Sequence, residues 1–385
     1  MKKETNRKCK GMRDLLVPDM RRFRRAEDTF RSCCRKWGFQ EVRTPVLEYM
    51  DLFTSAGTLT PSMLSKVYSF LDWDGWSGER VVLRPDVTIP IARLYIDNLS
   101  DRDMSRLFYV ADTFVFEGTG KENRERWQCG VELLGGGGVV SDVEMILLAR
   151  EIVQELGLND LELRLSHAGL AKALIGEMKL SSLAEISMIN DAFLHNVESL
   201  AASSSASLKK SLNSFGSVMA FLDRMNCDYQ VDFTAAQGFE YYTGICFQLL
   251  SGGRKIGGGG RYDDLIPLLG GEKVPACGFA FYLDSVADML PDEVEGQAEK
   301  VATVKSNGGN SEAEQTCFVL ARALREAGYA VELEFNAREK APEGSRGVAI
   351  SVDDPASFIV VTGPKSTRQE VASVEGVLAL LGEQA

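Results

Sequence analysis

Between Met20 and Trp37 apolar residues recur every three to four positions. Phe23, Ala26, Phe30 and the Cys33/Cys34 pair fall on one stripe, which predicts an amphipathic helix with Asp19 as a cap near its start. A second helix is predicted over 141–156, where Val143, Ile146, Leu147, Ile152 and Val153 share a side. Short β-like runs at 81–83, 107–116 and 245–250 lie among such helices without a repeating βαβ rhythm, so the main fold is expected to be α+β, an antiparallel sheet covered by helices. Residues from about 167 to 226 are rich in Ala, Leu and Ser and read as a helical insertion within a domain spanning 1–290. A charged, glycine-containing stretch reads as a linker over 291–310. A small C-terminal α/β domain is predicted over 311–385, with a helix at 311–327, strands at 329–335 and 358–361, and a last helix at 370–381.

Composition narrows the class. A chain of 385 residues, 45% hydrophobic, supports two or three domains. No run approaches the roughly 18 apolar residues of a membrane span, and the opening residues lack the apolar stretch of a secretory signal. The expectation is a cytoplasmic protein that does not enter a membrane. Eight cysteines form no CxxC pair, and with only His167 and His195 they make no zinc constellation. Free thiols, no metal and no cofactor are expected, and His167 is read as structural. The net charge is −12, yet the first fifty residues hold 14 Lys/Arg against 7 Asp/Glu. The acidic remainder repels phosphates, so nucleic acid is not an expected partner. The basic helix is read as a solvated face or as a contact for an acidic partner or a phosphate.

Candidate chemistry lies in a few short segments. In an extended Gln128-Cys129-Gly130-Val131-Glu132, residues 128, 130 and 132 project to one face, which then carries an amide and a carboxylate with no bulk between them. That suits a small zwitterion bearing an imidazole, which needs an acceptor and a donor. In Leu83-Arg84-Pro85-Asp86-Val87-Thr88, Asp86 offers the carboxylate that a buried ammonium requires. Tyr241, Tyr242 and Tyr262 sit in glycine-containing stretches, and pattern alone leaves them open as core aromatics. The glycine runs 135–138 and 257–260 lack the context of a phosphate loop and read as tight turns.

These segments together resemble the histidyl-tRNA synthetases. Residues 37–48 resemble the first class II motif, which implies a homodimer interface ending at Pro45. Residues 83–88 are similar to that family's Arg-Pro-Glu-Gly-Thr loop, residues 128–132 to its Gln-x-Gly-x-Glu strand, and residues 238–244 and 259–265 to its histidine motifs. The resemblance implies a histidine site made by Asp86, Thr88, Gln128, Glu132, Tyr241, Tyr242 and Tyr262. Three arginines of the family pattern are missing. Val115 replaces the one in Phe-Arg-x-Glu, Gln237 the one before the histidine motif, and Ser285 the last residue of Gly-Phe-Ala-x-Gly-Leu-Glu-Arg. Arg124, Arg126 and Arg261 remain as candidate substitutes.

A histidine pocket without activation chemistry resembles one group, the regulatory subunits of short-form ATP phosphoribosyltransferase. That resemblance implies a non-catalytic chain in a hetero-octamer with a catalytic subunit, needed for a phosphoribosyl transfer that is the first step of histidine biosynthesis and for its allosteric feedback inhibition by L-histidine. Two alternatives stay open: an active histidyl-tRNA synthetase, and a synthetase-like module that senses tRNA.

Overall fold

A computed structural model describes residues 7–57, 64–73, 78–116, 122–172, 206–233, 241–291, 300–306, 311–335, 348–362 and 367–382. The chain divides into two compact units, Met1–Asp292 and Glu293–Ala385.

In chain order the strands of the first unit are β1 (Gln40–Glu41), β2 (Leu47–Tyr49), β3 (Ser69–Trp73), β4 (Gly78–Leu83), β5 (Ser105–Phe114), β6 (Glu125–Leu134), β7 (Glu162–His167), β8 (Gln230–Val231), β9 (Ile245–Ser251), β10 (Arg254–Arg261) and β11 (Ala276–Tyr282). Eight of them form one sheet in the order β1-β5-β6-β11-β10-β9-β7-β8, and β2, β4 and β3 form a small second sheet. The pairs from β5 through to β7 are antiparallel, while the short edge strands β1 and β8 join in parallel. This is the expected α+β architecture with parallel edges that the sequence pattern did not signal.

Alternation along the strands divides the large sheet into two cores. Phe108, Val131 and Leu133 face one core, which also takes the apolar stripe of the helix Val17–Lys36 and the helix Gly138–Glu155. Phe30 meets Phe108 and Phe281 edge to face, with centroids 5.9 and 6.4 Å apart. Burying such a ring contributes roughly 2–3 kcal/mol. Leu107, Tyr109 and Leu134 face the other core, together with Tyr242, Tyr262 and the helix Thr88–Asn98. Gln128, Gly130 and Glu132 are in phase with this second set, and that places the candidate site.

In the second unit β12 (Val301–Ser306), β13 (Ala330–Phe335), β14 (Val348–Asp354), β15 (Ser357–Thr362) and β16 (Thr367–Val371) form a sheet in the order β13-β12-β14-β15-β16. Helices Ser311–Glu326 and Val374–Gly382 contribute Cys317, Leu320, Leu324, Val377 and Leu381 to a core with Val304, Ile350 and Phe358.

Several expectations are corrected. Residues 301–306, assigned to the linker, form the strand that β13 and β14 flank, and Ala302 and Val304 are fully buried in it. The last helix starts at Val374, because Glu370 belongs to β16. Residues 257–260 are no turn but part of central strand β10, where a Cβ on Gly259 would stand 2.2 Å from the Gly278 carbonyl oxygen. Position 167 ends a strand; of the proposed helical insertion, 173–205 lie outside the described residues and Ala206–Arg224 is helical. Among the described residues no helix is long and apolar enough to cross a membrane, and no side-chain group is arranged to hold a metal.

Candidate functional site

On the second face of the large sheet lies a cavity of about 40 Å³. Its floor is built by register. Gly130 pairs with Ala280, Glu132 with Gly278 and Gln128 with Tyr282, so these side chains stand on one surface of β6 and β11. Glycine is required here. A Cβ on Gly130 would lie 2.2 Å from the Tyr109 ring, and one on Gly278 would lie 1.9 Å from the Glu132 carboxylate.

All seven residues assigned to the site line this cavity. Thr88 Oγ1 donates to Glu132 Oε1 at 2.7 Å, and the Tyr262 hydroxyl donates to Glu132 Oε2. Tyr241 contacts Tyr242 and Tyr262 edge to face, with centroids 5.0 and 5.8 Å apart. Asp86 lines the cavity and accepts from the Ile89 amide at 3.2 Å. Burial raises the Glu132 carboxyl to about 8 against the opposing pull of the Tyr262 and Thr88 hydrogen bonds, and burial also raises Asp86. The Gln128 Oε1 and Tyr109 hydroxyl are buried without a hydrogen-bond partner among the described residues.

Among the described residues no lysine, arginine or histidine lines the cavity. The candidate substitutes are engaged elsewhere. Arg261 is buried against Asp142 (2.8 Å) and Asp263 (3.0 Å) and donates to the Gly136 carbonyl. Arg124 packs over the Phe116 ring at 4.5 Å and donates to the Tyr68 hydroxyl. Arg126 bonds Glu122 at 2.8 Å. Val115 continues the backbone beyond β5, pairing with the Arg124 carbonyl, and Ser285 lies on the helix Leu283–Met289; neither lines the cavity. Gln237 lies outside the described residues.

Other singled-out residues are structural. His167 Nδ1 accepts from the Leu170 amide at 3.2 Å, and burial lowers its imidazole to about 4. On the basic helix, Arg22, Arg24, Arg31 and Arg35 pair with Asp19, Glu27 and Glu41, which removes most of the positive face offered to a phosphate. Sequence reasoning missed the roles of Arg84, Tyr109 and Tyr282. Arg84 is buried and donates to the Thr44, Pro45 and Asp112 carbonyls and the Asp112 carboxylate, so it ties the 37–48 and 83–88 segments to β5. Tyr282 lines the cavity, and its signal was an aromatic where the family pattern has glycine.

The model of the histidyl-tRNA synthetase family matches residues 11–193 and 178–286. An ATP phosphoribosyltransferase regulatory subunit from Dehalococcoides mccartyi is 41% identical over 98% of this chain and 99% of the relative. A histidine–tRNA ligase from Archaeoglobus fulgidus is 30% identical over 95% and 94%. The crystal structure of an ATP phosphoribosyltransferase regulatory subunit/histidyl-tRNA synthetase from Bacillus halodurans superposes with a TM-score of 0.75, at 23% identity, covering 91% of this chain and 99% of that one. Sheet and family match together define a class II, histidyl-tRNA synthetase-like protein. Within that class, the chain belongs to the family of ATP phosphoribosyltransferase regulatory subunits.

Proposed function

We propose that the chain is a non-catalytic subunit which activates an ATP phosphoribosyltransferase catalytic subunit and makes it sensitive to L-histidine. The observation that carries this reading is a cavity with one buried and one partly buried carboxylate, an amide and tyrosine walls, lined among the described residues by no cationic side chain. Buried acids without a cation favour a ligand that brings its own positive charge. The amino group of histidine meets that need, and the tyrosine faces offer an imidazole a stacking surface. A cavity of about 40 Å³ holds only a few waters at roughly 10–15 Å³ each.

Feedback inhibition then follows from linkage. Histidine bound here favours the inhibited arrangement of the complex by a coupling of about 1–3 kcal/mol, and substrates of the catalytic subunit weaken histidine binding by the same factor. Purified alone, the chain is expected to form no phosphoribosyl-ATP from ATP and phosphoribosyl pyrophosphate. Mixed with the catalytic subunit it is expected to copurify as a hetero-octamer and raise turnover, and L-histidine is expected to suppress that turnover. Turnover by the chain alone, or a catalytic subunit indifferent to its presence, would overturn the reading.

A homodimer within that assembly is supported by the small sheet. Tyr49 and Phe70 flank Val81 across the three strands, and both are about half exposed (59% and 45%) on the face that also carries Leu47. Tyr49→Asp is expected to weaken self-association on the order of 100-fold, because a charge in an apolar interface core costs about 2–5 kcal/mol. Light scattering at micromolar concentration reads the change, and an unaltered dimer mass would contradict it.

A further inference from the structure

We propose that Tyr282 decides the ligand class of the cavity by closing the Gln128 end, so that it admits an α-amino acid with a free carboxylate and excludes derivatives extended through that carboxylate. The inference rests on the histidine reading above and sharpens it.

The geometry is that of two adjacent strands. Tyr282 is the last residue of β11 and pairs directly with Gln128 of β6, so the ring stands beside the amide on the cavity face. Further in, the same face carries Ala280 opposite Gly130, then Gly278 opposite Glu132. The floor is therefore open over two pairs and blocked at the third. Lys255 of neighbouring β10 holds the ring from its other side, with Nζ 5.8 Å from the centroid. In the synthetase pattern Gly-Phe-Ala-x-Gly-Leu-Glu-Arg, position 282 is a glycine. Here a phenol fills the space that this pattern leaves free.

Electrostatics orients the ligand against that ring. Glu132, at the inner end of the floor, attracts the ammonium and repels a carboxylate, which points along β6 toward Gln128. A free carboxylate is small enough to stop short of Tyr282. An ester, amide or acyl-phosphate adds atoms where the ring stands. Loss of the phosphate-handling arginines removes activation chemistry, whereas Tyr282 removes room for its product, and the two changes are independent.

The test titrates L-histidine and L-histidine β-naphthylamide, which keeps the ammonium and imidazole but extends the carboxyl, into the full-length chain and its Tyr282→Ala and Tyr282→Phe variants. The wild-type chain and Tyr282→Phe are expected to prefer histidine by at least 100-fold, because the ring and not the hydroxyl blocks the end. In Tyr282→Ala, or in Tyr282→Ser should that variant not fold, the preference is expected to fall at least tenfold. If histidine binds and the preference is the same with and without the ring, Tyr282 merely fills space and the inference fails alone. If histidine binds none of the folded proteins, the histidine reading fails and takes this inference with it.

Discussion

Glu132→Gln is expected to weaken L-histidine binding by at least about 100-fold while the fold and its assembly persist. Glu132 lies at the inner end of the cavity floor and is almost fully buried, with Thr88 and Tyr262 fixing its two oxygens. Truncating one partner of a buried, hydrogen-bonded charge pair costs about 2–5 kcal/mol, and the glutamine keeps the shape while removing the charge. Stability is expected to move the other way. The folded carboxyl titrates near 8 and the unfolded one near its ordinary value of 4.5. Between those values the folded chain holds a proton that the unfolded chain has lost, so this group's contribution to stability declines as pH rises from about 4.5 to about 8. Above pH 8 the variant should therefore be more stable than the wild type, by on the order of 1–2 kcal/mol, with little difference near pH 5. An ammonium entering the site expels that proton, so histidine affinity is expected to rise on the order of tenfold between pH 6.5 and 8. Calorimetry in buffers of different ionisation enthalpy reads the released proton directly. A pH-independent affinity with no proton release would remove the electrostatic account of the pocket.

The second large effect is an absence of synthetase chemistry. ATP–pyrophosphate exchange with histidine is expected at least on the order of 10⁴-fold below that of an active histidyl-tRNA synthetase. Adenylate formation gathers negative charge on phosphorus, and removing one preorganised donor costs about 10²–10³ in rate. Val115, Gln237 and Ser285 stand where the family pattern writes arginine, and single losses of this kind do not simply add. Arg261 offers no rescue, since moving it would strand Asp142 and the carbonyl of Gly136. Arg124 is committed to Phe116 and Tyr68. Exchange at a rate typical of an active synthetase would show that Arg126, or a cation beyond the described residues, completes the site.

Much of the site was legible because its residues obey strand periodicity. Positions 128, 130 and 132 project together in any extended segment, and the β6 half of the cavity floor follows from that. What brings Asp86, Thr88 and the tyrosines to this floor is tertiary, and only the family resemblance pointed to it. The misreadings share one physical cause, tertiary partners that the local sequence does not show. Four consecutive glycines have poor strand propensity, yet at 257–260 the crowding of β9 and β11 leaves no room for a Cβ, so glycine is what the strand needs. Residues 301–306 lie between a charged and a glycine-containing stretch, yet alternate positions Ala302 and Val304 are buried in the second unit's core. Arg261 looked free for catalysis because its partner Asp142 is 119 residues away in sequence.

Titration of L-histidine into the chain assembled with its catalytic subunit tests the central claim most directly. One saturable site per chain is expected, lost in Glu132→Gln and accompanied by proton release at pH 7. A complex that assembles and turns over but shows no saturable histidine binding, or binds it equally well in Glu132→Gln, would contradict the account.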